Sequence, residues 1–461
     1  MGEETDGAAG RRTLVVLGGS GDLTGRLLLP GLAELVAAQA LDADVDVIAV
    51  SQQDWDDDRY RDWARERLAE HAGHVPEAAR DKTVDRLGHL RGDVTSAEDL
   101  RAALARADGA PLVYLALPNT VFLATLEALE QVDLPEGTAI AVEKPFGRDE
   151  ADARQLNAVL HRLLPEDRVF RSDHFLAMQT VLNVLGLRFA NRLFEPVWNA
   201  GHIERVEIVF DETLGLEGRA GYYDTAGALR DMLQNHLLQQ LALVAMEPPR
   251  SIDGPSLSAR KADVLAAVQP PADMARDTVR GRYTAGTVEG RELPDYTAEE
   301  GVDPARETET YAEYTVTIDN WRWAGVPFRL RTGKALGSDR QEIAIWFKPV
   351  PHLAFAGPPS EGNVLRLQFD PDHIQLELSL NSVEDPLLLE RRSLDIGLPR
   401  AQLSAYGLLL AEMLTGNGTL SISDVEAEQS WRIVEPILAA WSAGDVPLQE
   451  YAAGSGGPVP A

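Results

Sequence analysis

In the stretch 221–241, GYYDTAGALRDMLQNHLLQQL, a single imidazole sits inside an apolar helical pattern. After Gly227, spacings of three and four place Met232, Leu233, His236 and Gln240 on one face, with Asp231 and Asn235 on the next. A buried or half-buried histidine there is either a satisfied core residue or a general base. The second role needs a carboxylate to orient the ring and a substrate within reach. Asp173, in Arg171-Ser172-Asp173-His174-Phe175 ahead of an amphipathic helix through Leu187, is a candidate carboxylate, although a helix N-cap alone accounts for an aspartate there. Lys144 follows a strand in Val142-Glu143-Lys144-Pro145-Phe146-Gly147 and is either a surface lysine or, pinned by its proline, an anchor for a sugar hydroxyl or a nicotinamide edge. Gly18-Gly19-Ser20-Gly21-Asp22-Leu23 joins a strand to a helix. Glycines at such a junction allow a tight turn and let backbone N–H groups approach a pyrophosphate.

The elements that must position these groups fall into two textures. Up to about residue 180, strand-like runs at 13–17, 45–50, 111–117 and 138–142 alternate with helical stretches at 27–40, 59–72, 97–107 and 121–129. That alternation predicts a doubly wound, Rossmann-like parallel sheet. Lys144 then follows the fourth strand, at the carboxyl edge where ligands sit in open α/β folds. The second strand ends in Ser51-Gln52-Gln53-Asp54, with neither the acid that suits a ribose 2′-hydroxyl nor the arginine that suits a 2′-phosphate, so NAD and NADP both stay open.

From about residue 203 the strands alternate inward and outward, at 206–210, 311–318, 328–332, 342–347, 364–369 and 374–380. This predicts a large, mostly antiparallel sheet, with helices at 226–246, 402–415 and 424–443 over one face. The other face needs cover, and a second subunit is the simple one. Residues 248–310 read as a long irregular stretch. The expected organisation is a disordered tail at 1–12, a dinucleotide domain at 13–180, a β+α domain at 181–451, and a disordered tail at 452–461.

With 461 residues, two domains are expected. A net charge of −30 argues against nucleic acid or an anionic membrane as partner. The absence of cysteine excludes disulfides, thiol nucleophiles and thiolate metal sites. No apolar run reaches the roughly 18 residues of a membrane span, and the N-terminus does not read as a signal peptide. A cytoplasmic location is the expectation.

The ordered blocks GGSGDLTGRLLLPGL, YLALPNTVF, VEKPFG, RSDHFLAMQTVLNVLGLRFAN, EGRAGYYDTAGALRDMLQNHLLQQLALVAMEPP, WRWAGVPFRLRTGKAL and SAYGLLLAEMLTG resemble the glucose-6-phosphate 1-dehydrogenase family over nearly the whole chain. The resemblance implies an NADP- or NAD-dependent transfer of hydride from C1 of a glucopyranose, giving the 1,5-lactone without a metal. It implies His236 as base, Asp173 as its orienting carboxylate and Lys144 beside the reacting end. His174, Met178, Glu212, Asp231, Lys334 and Gln368 fall at its sugar-binding positions. Gly18, Gly19, Ser20, Gly21, Asp22, Leu23, Ser51, Gln52, Leu117, Pro118, Lys144 and Pro145 fall at its cofactor positions. A homodimer or homotetramer built through the large sheet is also implied.

The departures are all losses of charge or hydroxyl at phosphate-binding positions. The family's D-H-Y-L-G-K becomes Asp173-His174-Phe175-Leu176-Ala177-Met178, which removes a hydroxyl and an ammonium. Gly25 and Leu27 replace two lysines after the glycine loop, and Gln52 replaces the arginine for the 2′-phosphate. Two lost charge-assisted contacts weaken phosphate binding by roughly two to four powers of ten unless others replace them. Three readings follow: a glucose-6-phosphate dehydrogenase with a rebuilt phosphate site, the same chemistry on unphosphorylated glucose or another hexose with NAD, or a catalytically dead assembly or regulatory paralogue.

Overall fold

The computed structural model describes residues 12–41, 44–355 and 361–458. The chain forms two compact units. The expected N-terminal tail lies outside the described residues, apart from Arg12.

The first unit comprises Met1–Met178, Pro249–Ala259 and Ala401–Glu428, and so reaches beyond the expected 13–180. Its strands are β1 (Arg12–Leu17), β2 (Val45–Ser51), β3 (Leu87–Arg91), β4 (Pro111–Leu115), β5 (Ala139–Glu143) and β6 (Val169–Ser172). They lie parallel in the order β3-β2-β1-β4-β5-β6, the doubly wound arrangement the sequence predicts. β1 and β4 are buried almost throughout, as expected of strands covered on both faces.

Two strands escaped the sequence reading. β3 (LGHLR) and β6 (VFRS) carry buried polar groups that break an apolar run, so Lys144 follows the fifth strand rather than the fourth. The helix expected at 402–415 also sits elsewhere. As Ala405–Leu414 it belongs to this first unit and packs on Leu29–Ala38, not on the large sheet. Glycines meet at that crossing: a Cβ on Gly31 would lie 2.9 Å from the Gly407 nitrogen. Glu34 accepts from the Ser404 N–H at 2.7 Å.

The second unit comprises Gln179–Pro248, Arg260–Arg400 and Gln429–Ala461. Its strands begin with β7 (Ile203–Asp211), β8 (Val268–Gln269), β9 (Thr278–Thr284), β10 (Gly286–Val288) and β11 (Arg291–Leu293). They continue with β12 (Tyr311–Ile318), β13 (Phe328–Gly333), β14 (Arg340–Phe347), β15 (Val364–Phe369), β16 (Asp372–Asn381) and β17 (Leu389–Gly397). The two-residue β18 (Ser421–Ile422) belongs to the first unit, where it pairs antiparallel with β6, and β19 (Leu448–Ala452) is the last strand of the second.

The large sheet runs β17-β16-β15-β14-β7-β13-β12-β9-β19, with β8 beside β12. It is antiparallel except at β7–β13 and β9–β19. The stretch 248–310 is therefore more regular than its Pro and Gly content suggests. Its TVRGRYT run forms β9, with alternating burial, between β12 and β19.

The expected C-terminal tail is ordered through Pro458, with 459–461 outside the described residues. β19 adds to β9, and Gly454 donates its N–H to Ala335 at 2.8 Å. Gly454 has φ +87°, and a Cβ there would strike the Thr287 oxygen at 2.1 Å, so its glycine serves close packing rather than looseness.

Candidate active site

In the first unit the strand order reverses between β1 and β4, the point where open α/β sheets bind ligands beyond the strand carboxyl ends. The glycine loop leaves β1 there. Gly18 has φ +92° and a Cβ on it would lie 2.1 Å from the Ala116 oxygen, while a Cβ on Gly19 would lie 2.5 Å from that of Ala49. Thus no side chain fits at either glycine, and their backbone packs directly against Ala116 and Ala49. The Tyr60 hydroxyl donates to the Gly19 carbonyl at 2.8 Å and the Thr24 hydroxyl to that of Gly18 at 3.2 Å, which hold the cradle open. The helix that follows contains a π-helical segment, Thr24–Leu28. These features fit a dinucleotide pyrophosphate at a helix N-terminus.

Leu117 and Pro118, both at least partly accessible, follow β4 on the opposite bank. At the end of β2, Ser51 is buried and its Oγ lies 2.8 Å from His89 Nε2, whereas Gln52 is exposed. His89 Nδ1 lies 3.0 Å from the Trp55 carbonyl, an acceptor only, so that nitrogen carries a proton.

At the end of β5 and beyond it the same unit holds Glu143, Lys144, Asp173 and His174. Asp173 is buried, and its Oδ1 accepts from the Phe175 N–H at 3.0 Å, so the N-cap reading is correct for that oxygen. The cap opens only one 3-10 turn, His174–Ala177. Met178 (ψ 135°) then breaks the chain before the helix Gln179–Phe189, so the expected single helix is two pieces. His174 stacks on Tyr406, with centroids 5.5 Å apart, and Tyr406 in turn hydrogen-bonds Glu143. Tyr114 donates to the same carboxylate. Burial pushes Glu143 up to about 7, against the opposing pull of the Tyr114 hydrogen bond and the Lys144 charge.

In the second unit His236 is 1% exposed, and it lies not in an α-helix but in the π-helix Leu229–Leu237, continued by the α-helix Leu238–Ala245. The expected single apolar face is absent, because every residue from Met232 to Ala245 is buried, through the π-helical and the α-helical part alike. Both ends of this helix are fixed. At its start the Glu309 carboxylate accepts from the Leu229 N–H at 3.0 Å, and Gly227 (φ +73°) makes room, since a Cβ there would sit 2.4 Å from that carboxylate. At its end the last carbonyls receive Arg188, Trp198 and Trp323: Arg188 Nη1 donates to Leu243 and Val244, Trp198 to Val244 and Trp323 to Ala245. Orphan helix groups are thereby satisfied inside the core.

Lys334 is brought to Glu212, with Nζ 2.7 Å from Oε2, and to the ring of Tyr223 at 5.4 Å. Asp231 joins this group: burial first, then the nearby charges of Asp231, Glu309 and Glu212, raise the Tyr223 hydroxyl far above its ordinary value. Lys334 precedes Ala335, which has φ +53°, an uncommon conformation for alanine. The turn is held by Ala335 N–H to Leu214, Leu336 N–H to Glu212 and the Tyr451 hydroxyl to the Lys334 carbonyl, 2.7 to 3.0 Å each.

Gln368 lies on β15, two strands from β7, and its side-chain oxygen faces His373 at 3.3 Å. Glu143, Tyr406, Glu309 and Tyr451 received no role from sequence reading. Glu143 and Tyr406 lie inside quoted motifs, but nothing in the motifs says that they pair.

The glucose-6-phosphate dehydrogenase NAD binding domain family matches residues 15–183, and the glucose-6-phosphate dehydrogenase C-terminal domain family matches residues 185–461. The glucose-6-phosphate 1-dehydrogenase of Rhizobium meliloti (strain 1021) is 39% identical over 464 residues, covering 96% of this chain and 94% of its own length. The crystal structure of glucose-6-phosphate 1-dehydrogenase from Mycobacterium avium superposes with a TM-score of 0.84 at 36% identity, covering 97% of this chain and 95% of the other. A glucose-6-phosphate dehydrogenase solved in complex with its substrate glucose-6-phosphate gives 0.87 at 30% identity, with the same coverage. Among the described residues no helix is long and apolar enough to cross a membrane. With both halves matched and relatives aligned nearly end to end, the chain belongs to the glucose-6-phosphate dehydrogenase family.

Proposed function

We propose that this chain oxidises glucose 6-phosphate at C1, with NADP or NAD as the hydride acceptor, to the 1,5-lactone. The observation that carries the reading is the set of polar groups fixed inside each unit: a buried imidazole on a helix pinned at both ends, and a Lys334–Glu212 pair beside Asp231. His236 takes the proton of the anomeric hydroxyl as the C1 hydride leaves, and Asp173 orients the ring and stabilises the imidazolium. Lys144, Glu212, Asp231 and Lys334 hold sugar hydroxyls, and His174 holds the phosphate beside Met178. Gly18 to Leu23, with Leu117, Pro118 and Pro145, hold the cofactor, whose nicotinamide supplies the hydride acceptor when bound. The test is an initial-rate assay following reduced nicotinamide with glucose 6-phosphate. Lactone formation is expected, and no turnover with either cofactor contradicts the reading.

The working unit in this proposal is a homodimer, or a homotetramer built from it, in the cytoplasm. On β16 and β17 the cross-strand pairs Ile374–Ile396 and Leu376–Leu394 put apolar side chains on one face, and Leu394 and Ile396 remain 57% and 60% exposed. Such a patch marks an interface. Leu394→Asp with Ile396→Asp should yield monomers by light scattering; an unchanged oligomer would place the interface elsewhere.

A further inference from the structure

Strands β2 and β3 end side by side, with Ser51 opposite Arg91 and the Gly92 N–H donating to the Ser51 carbonyl at 2.9 Å. Partners in register on adjacent strands project from the same face. This edge is where a doubly wound sheet of this order receives the adenosine ribose of a dinucleotide. Its two obvious residues offer no charge. Gln52 is neutral, and the Ser51 hydroxyl is engaged by His89 at 2.8 Å and by the Gln53 N–H at 3.3 Å.

Arg91 does offer one. Its side chain is 65% exposed, and its Nη1 lies 3.1 Å from Asp54 Oδ1, itself 88% exposed. The neighbouring acids are committed to their own helix and strand. Asp56 caps the helix Asp57–His71 through the Arg59 N–H, Asp57 accepts from the His89 N–H, and Asp58 faces Arg61.

We propose that Arg91 and Asp54 form the cofactor selector of this enzyme. Arg91 holds the 2′-phosphate of NADP in place of the arginine that Gln52 replaces, and Asp54 is the carboxylate this phosphate displaces. The proposal rests on the NADP-or-NAD reading above. An exposed ion pair contributes little, so exchanging one carboxylate for a doubly charged phosphate is readily favourable. A guanidinium presents the planar fork that suits a phosphate. With NAD the pair stays closed, and Asp54 remains available to a ribose hydroxyl.

Isothermal titration with 2′,5′-ADP and with 5′-ADP tests this without turnover. Wild type should bind the 2′-phosphorylated probe roughly ten- to hundredfold more tightly. Arg91→Gln should bring that ratio close to one, and Asp54→Asn should widen it. Both side chains are exposed, so neither variant should alter the fold. Retention of the preference in Arg91→Gln, or no preference in wild type, overturns the proposal. The predicted ratios in an enzyme that oxidises no hexose would instead uphold this selector and sink the functional reading.

Discussion

His236 and Asp173, assigned to the reacting end, are each 1% exposed and sit on backbone that is tied on both sides. The positions where the sequence departs from the resembled pattern are, Gly25 excepted, less enclosed. Gly25 is buried, but Gln52 is exposed, Leu27 is 39% exposed, and Met178 lies half-buried at a break between two helical pieces. Proton transfer depends on a fixed direction between donor and acceptor, and burial with satisfied neighbours supplies that direction. Holding a phosphate depends mainly on positive charge nearby, which can arrive from more than one point of the chain. The first kind of site tolerates few changes, and the second can be rebuilt.

The largest effect expected from breaking this contrast is at the base. His236→Asn should lower kcat by about three powers of ten while the dissociation constant for glucose 6-phosphate changes little. Single-turnover kinetics would check it, and an unchanged kcat would remove His236 from the chemistry. The next effect is at Glu143. Its carboxyl is raised from 4.5 to about 7 by burial, so the fold favours the protonated form. That contribution to stability is fully present below about 4.5 and is lost as pH rises through about 7, a change on the order of 3 kcal/mol. Glu143→Gln should therefore gain thermal stability over wild type at pH 8 but not at pH 4, as read by calorimetry; equal differences at both would mean that Glu143 does not titrate as its burial implies. The smallest effect is at Tyr451. Losing its hydrogen bond to the Lys334 carbonyl in Tyr451→Phe should raise KM for the sugar phosphate about fivefold, with kcat kept. A fall in kcat instead would show that the Lys334 turn takes part in the reacting end.

Much of this was legible in the residues because it rests on short-range rules. The strand–glycine–helix junction at Gly18 and the strand–helix alternation around it behave as their periodicity predicts, and β12, β13 and β15 alternate inward and outward, whereas β7 and β14 each carry a run of four buried residues and β16 shows no alternation. What escaped depends on contacts distant in sequence. No 3.6-residue pattern announces that Thr24–Leu28 and Leu229–Leu237 are wound as π-helices, and both lie in the helices assigned to ligands. The buried Glu309 that caps the second of them is 80 residues from Leu229. Likewise, Ser421 and Tyr406 return from the end of the chain to the first unit, because a two-residue strand and a glycine–glycine crossing carry almost no sequence signal. The tail after Ala452 looked disordered by composition, yet its glycines and small residues are what allow it to pack beside Ala335.

The claim that the reacting end is kept while the phosphate-holding end is rebuilt is tested most directly by one ratio, kcat/KM for glucose 6-phosphate over that for glucose. It should be measured in wild type and in Met178→Lys. A rebuilt site predicts a wild-type ratio of at least about a hundred, rising by about tenfold in the variant as KM for the phosphorylated sugar falls. A wild-type ratio near one would contradict the account and make the neutral hexose the substrate.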